Sequence, residues 1–236
     1  MTSFSLELLQ AVSDWQKGGD TIKKGERLKN SIPADLPKKF RTCFMSCYRQ
    51  EAHAKERIWQ LIADNHLPER IAAWTLDLTV AKAFKGGVPP LDLHGVIFKI
   101  VPPTGSVILN LTELYRDADF LAALQKCRDK IVGWHEGAGR YQDTQQEVIL
   151  ELESLDCAID NVVSLGGFIG SVEQIAQELY GRDPSSAELK QVSNELTSLT
   201  PRGDWWLTET GTRAVLERVK PHLKRLREKK RRQEEQ

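Results

Sequence analysis

Strand-type and helix-type runs follow one another along this chain without a regular repeat. That irregular order is the feature that most constrains its fold. Residues 94–101 are an apolar β-type run. Pro102, Pro103, Thr104 and Gly105 then make a turn, and residues 106–111 read as a second strand of the same pair. Residues 147–152 form another strand run directly after a polar loop. Residues 40–48 are apolar and aromatic enough for a further strand. Between these lie helical patterns. Residues 5–17 repeat Leu8, Leu9, Val12 and Trp15 at helical spacing and end at Gly18 and Gly19. A loop with Lys and Pro follows, as far as Pro37. Residues 51–65 carry Ile58, Trp59, Leu61 and Ile62 on one side, and Pro68 opens the next segment. Residues 79–84 read as a short helix that ends at Gly86 and Gly87, and another helix lies around residues 120–124. A parallel doubly wound sheet needs strands and helices in strict alternation, so α+β is the expected class.

The character changes near Gly166. Residues 171–180 and 185–199 read as helices, 200–204 as a turn and 205–208 as a short strand. Thr208 then leads into a long basic helix. Two helices, a short hairpin and a helix make a winged-helix-like module or a helical appendage. The expected organisation is therefore a main domain over residues 1–165, with its N-terminal helix, and a C-terminal helical or winged-helix-like module over 166–236.

Formal net charge is zero over 236 residues, so bulk charge names no partner. Its distribution says more. Residues 141–181 contain no Lys or Arg and eight Asp or Glu, whereas residues 219–236 contain eight Lys or Arg against three Glu. A basic end of this kind suits phosphates or a solvated helix end. The N-terminus lacks the basic start and apolar run of a signal peptide, and no window reaches the length of a membrane span. A cytoplasmic protein without membrane contact is expected. Cys43, Cys47, Cys127 and Cys157 then read as reduced thiols. Cys43 and Cys47 are spaced to share a helix face, but no His or Cys cluster at metal spacing accompanies them, so no metal is expected.

Three elements carry chemistry. Arg49 follows an aromatic, Tyr48, at a strand end. Ala73, Trp74 and Thr75 lead into a helix that contains Ala81 and Phe84. Gln145 and Glu147 stand two apart at the mouth of a strand, after the loop aromatic Tyr141. In this order the elements resemble the ADP-ribosyltransferase superfamily in its Arg–Ser–Glu class, over roughly residues 30–165. The resemblance implies NAD as the ADP-ribose donor and no metal. It implies Glu147 as the catalytic acid, held by the Thr75 hydroxyl, and Arg49 as the clamp on the cofactor phosphates. Thr75, Trp74 and Phe84 would share the cofactor site, with Trp74 serving either as core or as a wall of the nicotinamide pocket. Tyr141, Gln145 and Arg140 would meet the acceptor. One departure stands out: a Ser is usual near Ala73, and Ala has no donor.

The residue types suit those roles. A carboxylate can stabilise the positive charge that develops on a ribose as its glycosidic bond breaks. The planar guanidinium fork pairs with pyrophosphate oxygens, or alternatively with a nearby acid in a structural ion pair. An amide at position 145 offers both a donor and an acceptor, which suits an amide, a thiol-bearing residue or a base edge better than a guanidinium. Tyr141 can stack on a base, and Arg140 adds a phosphate contact. These features favour a nucleic-acid acceptor over a protein one. In this superfamily a compact enzyme of this kind is usually a toxin or a defence effector, which implies an antitoxin or inhibitor partner. Three alternatives remain: a protein-modifying transferase of the same fold, a catalytically degenerate nucleic-acid-binding regulator, and hydrolysis of NAD without transfer.

Overall fold

The Ser5 hydroxyl accepts a hydrogen bond from the Leu8 amide and starts the first helix, α1 (Leu6–Gln16). Leu8, Leu9, Val12 and Trp15 are buried along it, as their spacing predicts. The computed structural model describes residues 4–87, 89, 93–167, 172–199 and 206–235. A second helix, α2 (Thr21–Ser31), occupies the stretch expected to be a loop. Asp20 caps it by accepting from the Lys23 amide. Its buried residues are Gly25, Leu28 and Ser31, so its apolar signal is thin. Gly25 permits a close approach: a Cβ there would stand 2.7 Å from the Ile71 side chain.

The first strand, β1 (Cys47–His53), begins seven residues later than the expected run at 40–48, and a 3-10 turn occupies Lys38–Arg41. Its extension to His53 pushes the start of α3 (Lys55–Asp64) past Glu51. Asn65, in the left-handed region at φ 54°, ends that helix. Then come β2 (Ile71–Thr75), α4 (Leu78–Ala83), β3 (His94–Ile100) and β4 (Val107–Asn110). They are followed by α5 (Leu111–Tyr115), α6 (Ala118–Cys127), the single turn α7 (Ala138–Tyr141) and β5 (Glu147–Glu151). A strand that the sequence reading lacks, β6 (Val162–Gly166), precedes α8 (Val172–Tyr180), α9 (Ser186–Leu199) and α10 (Glu209–Glu234).

The class is α+β, as expected. The six strands form an antiparallel sheet in the order β4-β5-β2-β1-β3-β6. The expected pairing of residues 94–101 with 106–111 does not form: β3 pairs with β6, and β4 with β5. The short turn at Pro102–Gly105 makes such a hairpin the local choice, but the pairing that forms is set by distant segments.

By compactness the chain divides into two units, and the division falls inside β1. The first unit holds residues 1–49, 67–80 and 100–154, and the second holds 50–66, 81–99 and 155–236. In the first unit an apolar core joins Leu8, Leu9, Val12 and Trp15 of α1 to Ile71 of β2, Leu109 of β4 and Ile149 of β5. Phe4 packs edge-on against Phe40 and Phe120 within it. Cys43 and Cys47 do not share a helix face. Cys43 follows the 3-10 turn and Cys47 opens β1; both are free and buried, with Sγ atoms 3.7 Å apart.

In the second unit, Trp206 packs closely against two glycines. A Cβ on Gly95 or Gly166 would come within 2.6 and 2.7 Å of its ring. Trp206 makes an isolated bridge with Gly166, and its indole donates to the Lys82 carbonyl at 3.0 Å. The start of α10 is tied to β6 by the buried Thr212 hydroxyl, which accepts from the Leu165 amide. Farther along, Arg227 donates to the Ala63 carbonyl of α3 at 2.8 Å. The expected turn at 200–204, and Trp205 of the expected short strand, lie outside the described residues. No helix among the described residues is long and apolar enough to cross a membrane.

Candidate active site

The site is built where β5 begins. β2 and β5 are antiparallel with Thr75 opposite Glu147, so the two side chains share a face of the sheet. The same face carries Ala73 and Ile149, which pack against the core that includes Trp15. The loop before β5 is fixed to the end of β2. The Thr75 hydroxyl donates to the Gln145 carbonyl at 2.7 Å and accepts from the Asp77 amide at 3.1 Å, while the Leu76 amide donates to the Gln146 carbonyl at 3.0 Å. Gln142 and Gln146 both take left-handed backbone angles, at φ 46° and 44°, which fold the loop tightly between them.

Glu147 is 5 % exposed. Its Oε1 accepts from the Trp15 indole N–H at 2.5 Å. Burial pushes its carboxyl up to about 7, against the opposing effects of the Trp15 hydrogen bond and the Arg49 charge. The expected hydroxyl bond from Thr75 to Glu147 is not made. The single Thr75 O–H proton goes to the Gln145 carbonyl, so Thr75 holds the loop, and an indole from another element holds the acid.

Arg49 lies within electrostatic reach of Glu147. Its Nη1 donates to the Ala73 carbonyl at 3.0 Å, and its Nη2 pairs with Glu69 at 2.8 Å. The structural ion pair and the nearness to the acid therefore occur together, with Glu69 in the loop before β2 as the partner.

Comparison with protein-family models, with curated proteins and with solved structures returns no match.

The other expected site residues are spread more widely. Arg140 and Tyr141 end α7, with the guanidinium stacked 5.1 Å from the ring centre. Arg140 is exposed, whereas Tyr141 and Gln145 are half-buried. Trp74 is 1 % exposed and alternates with Thr75 along β2, so it lies on the opposite face of the sheet from Glu147. It is therefore buried, and its indole N–H has no hydrogen-bond partner among the described residues. Phe84 belongs to the second unit and is 44 % exposed, with the Lys85 ammonium over its ring.

Four residues of the site escaped the sequence reading: Trp15, Gln16, Glu69 and Tyr115. The Tyr115 hydroxyl donates to Gln16 Oε1 at 2.7 Å, and Gln16 Nε2 donates to the Gln142 carbonyl at 2.9 Å. Burial, then the Glu147 charge, raises the Tyr115 hydroxyl pKa, so it stays neutral. A signal for part of this lay in α1. Ser13 and Gln16 are polar positions beside an otherwise apolar stripe, and Trp15 brings a donor that needs an acceptor once buried.

Proposed function

We propose that the chain is an NAD-dependent ADP-ribosyltransferase in which Glu147 is the catalytic carboxylate. One observation carries the reading. A buried glutamate heads β5, is hydrogen-bonded on one oxygen, lies within the field of an arginine on β1, and follows directly on an ordered polar loop. An acid pushed to about 7 by burial is divided between its two protonation states near neutral pH.

Cleavage of the nicotinamide–ribose bond of NAD develops positive charge on the ribose. The ionised Glu147 carboxylate stabilises that charge and accepts from a ribose hydroxyl. Its low-dielectric surroundings make the interaction stronger than in water. The donor set suits a sugar diphosphate. Arg49 offers a planar fork to phosphate oxygens, which would compete with Glu69 for it. Thr75 fixes the backbone at Gln145 and so sets the amide that faces an acceptor. The stacked Arg140–Tyr141 pair, with its exposed guanidinium, suits a base and its phosphate and favours a nucleic-acid acceptor over a protein. A toxin or defence effector restrained by an inhibitor protein fits this activity.

The engagement of Arg49 by Glu69 favours a second reading, a catalytically silent relative that binds nucleic acid. Incubation with NAD labelled in its adenylate half and cell lysate separates the alternatives. Label removed by nuclease and resistant to protease supports the proposed acceptor. Label removed by protease assigns a protein acceptor. Free ADP-ribose alone assigns hydrolysis, and unconsumed NAD assigns the silent binder.

A further inference from the structure

We propose that the last turns of α1 belong to the active site, with Trp15 the positioning residue that fixes the Glu147 carboxylate. The inference rests on the ADP-ribosyl-transfer reading of Glu147.

Four side chains of α1 make five hydrogen bonds to residues 132–147. Gln10 donates to the Val132 carbonyl at 3.0 Å and accepts from the Val132 amide at 2.8 Å. Ser13 Oγ accepts from the Ala138 amide at 3.2 Å. Gln16 donates to the Gln142 carbonyl at 2.9 Å, and Trp15 donates to Glu147 at 2.5 Å. The helix thus grips the loop at its start, at α7, at its tip and at the acid that ends it. Ser13, Trp15 and Gln16 are all buried. Polar groups on a core-facing helix surface cost stability unless each finds a partner, and a helix that served packing alone would carry apolar side chains there. Gly137 shows how close the contact is: a Cβ at that position would collide with the Ser13 carbonyl and hydroxyl. The nearest of these atoms is backbone, which cannot swing aside as a side chain can.

Among the described residues no hydroxyl holds the acid. Ala73 brings no donor, and Thr75 spends its proton on the Gln145 carbonyl. Trp15 supplies the missing function. Its indole is rigid and donor-only, so it orients Oε1 and favours the ionised form. The other titratable groups whose charge couples to this site are Arg49 from β1, which favours ionisation, and Tyr115 from α5, which stays neutral; Asp143 in the loop acts on Tyr115. On α1 itself, Asp14 is paired with Arg27 of α2.

Two measurements test the assignment. The first follows the six indole N–H resonances of the ¹⁵N-labelled protein as pH is varied. One of them should shift with a midpoint near 7, and that shift should vanish in Glu147→Gln. It needs no Trp15 variant to fold, and a set of indole signals that ignores Glu147 overturns the proposal. The second compares nicotinamide release from NAD by the wild type and Trp15→Phe across pH. The variant should lose roughly 10- to 100-fold in kcat at neutral pH with KM for NAD little changed. The rising limb of its profile should move up by about one pH unit, because the lost hydrogen bond favoured the carboxylate. Release that Trp15→Phe matches at every pH overturns the proposal alone. No release by the wild type removes the transfer reading, and the positioning role with it.

Discussion

Replacing Glu147 by Gln should stabilise the protein, and by an amount that depends on pH. The carboxyl stands at about 7 in the fold, against an ordinary value of 4.5, because burial penalises its charge. Below about pH 4.5 the group is protonated in both the folded and the unfolded chain and contributes no difference. Between about 4.5 and 7 the folded chain binds the proton more tightly than the unfolded one. Stability from this group therefore falls as pH rises, and above about 7 the loss is complete. A tenfold difference in proton affinity is worth about 1.4 kcal/mol, so the total is on the order of 3 kcal/mol. Gln keeps the shape, carries no charge at any pH, and offers an amide oxygen to the Trp15 indole. The advantage of the variant over the wild type should thus grow by about 3 kcal/mol between pH 4 and pH 8. At roughly 2–4 °C per kcal/mol for a chain of this size, the gap in melting temperature should widen by roughly 6–12 °C. Thermal and urea unfolding of both proteins at several pH values measure it. Taking the difference between the two proteins cancels the titration of every other group. A gap that stays constant from pH 4 to pH 8 would refute the claim that Glu147 is buried with a raised pKa. The expected result also has a functional meaning: the ionised acid destabilises the fold that carries it, as active-site groups often do.

Other perturbations separate the roles of neighbouring residues. Arg49→Lys cannot keep both the Ala73 and the Glu69 contacts, so it should cost roughly 1–3 kcal/mol in urea unfolding and raise KM for NAD. Glu69→Gln should lower KM severalfold while also costing stability, because it removes the charge that competes with phosphate for the guanidinium; a rise in KM in both variants would show that no such exchange occurs. Thr75→Val loses the bonds to Gln145 and Asp77 and should cost about 1–3 kcal/mol, whereas Thr75→Ser should restore most of it in the same unfolding assay. Gln145→Glu should allow a free guanidinium compound such as agmatine to accept ADP-ribose, read by mass spectrometry; a product mass that agmatine leaves unchanged counts against Gln145 as the acceptor-facing residue.

The parts of this fold that were legible in the sequence are those whose apolar spacing is dense. α1 is one, with Leu8, Leu9, Val12 and Trp15 in register and Ser5 as its cap. β3 and β5 are others, each centred on an unbroken apolar stretch, residues 96–98 and 148–150. α2 was not legible, because its contact with β2 runs through Gly25, whose lack of a side chain is the reason it fits. The pairing of β4 was not legible either. Proximity along the chain argued for β3, whereas the ladder joins Val107 to Leu150 and Asn110 to Val148. The same distinction applies to the site. Arg49, Thr75 and Glu147 stand out through residue type and order. Trp15 does not: its indole needs an acceptor once buried, but its place on an apolar stripe names none, and the carboxylate it meets is 132 residues away. Glu69 is equally silent, being one acid among many until β1 and the loop before β2 bring it to Arg49.

The central claim is that Glu147 drives cleavage of the nicotinamide–ribose bond. Quantifying nicotinamide released from NAD by the purified protein and by Glu147→Gln, with cell lysate as the acceptor source, tests it most directly. The account predicts release by the wild type that rises with pH through about 7, and a loss of at least about 100-fold in a Glu147→Gln protein that remains folded. Equal release by the two proteins, or none by the wild type at any pH, would contradict it.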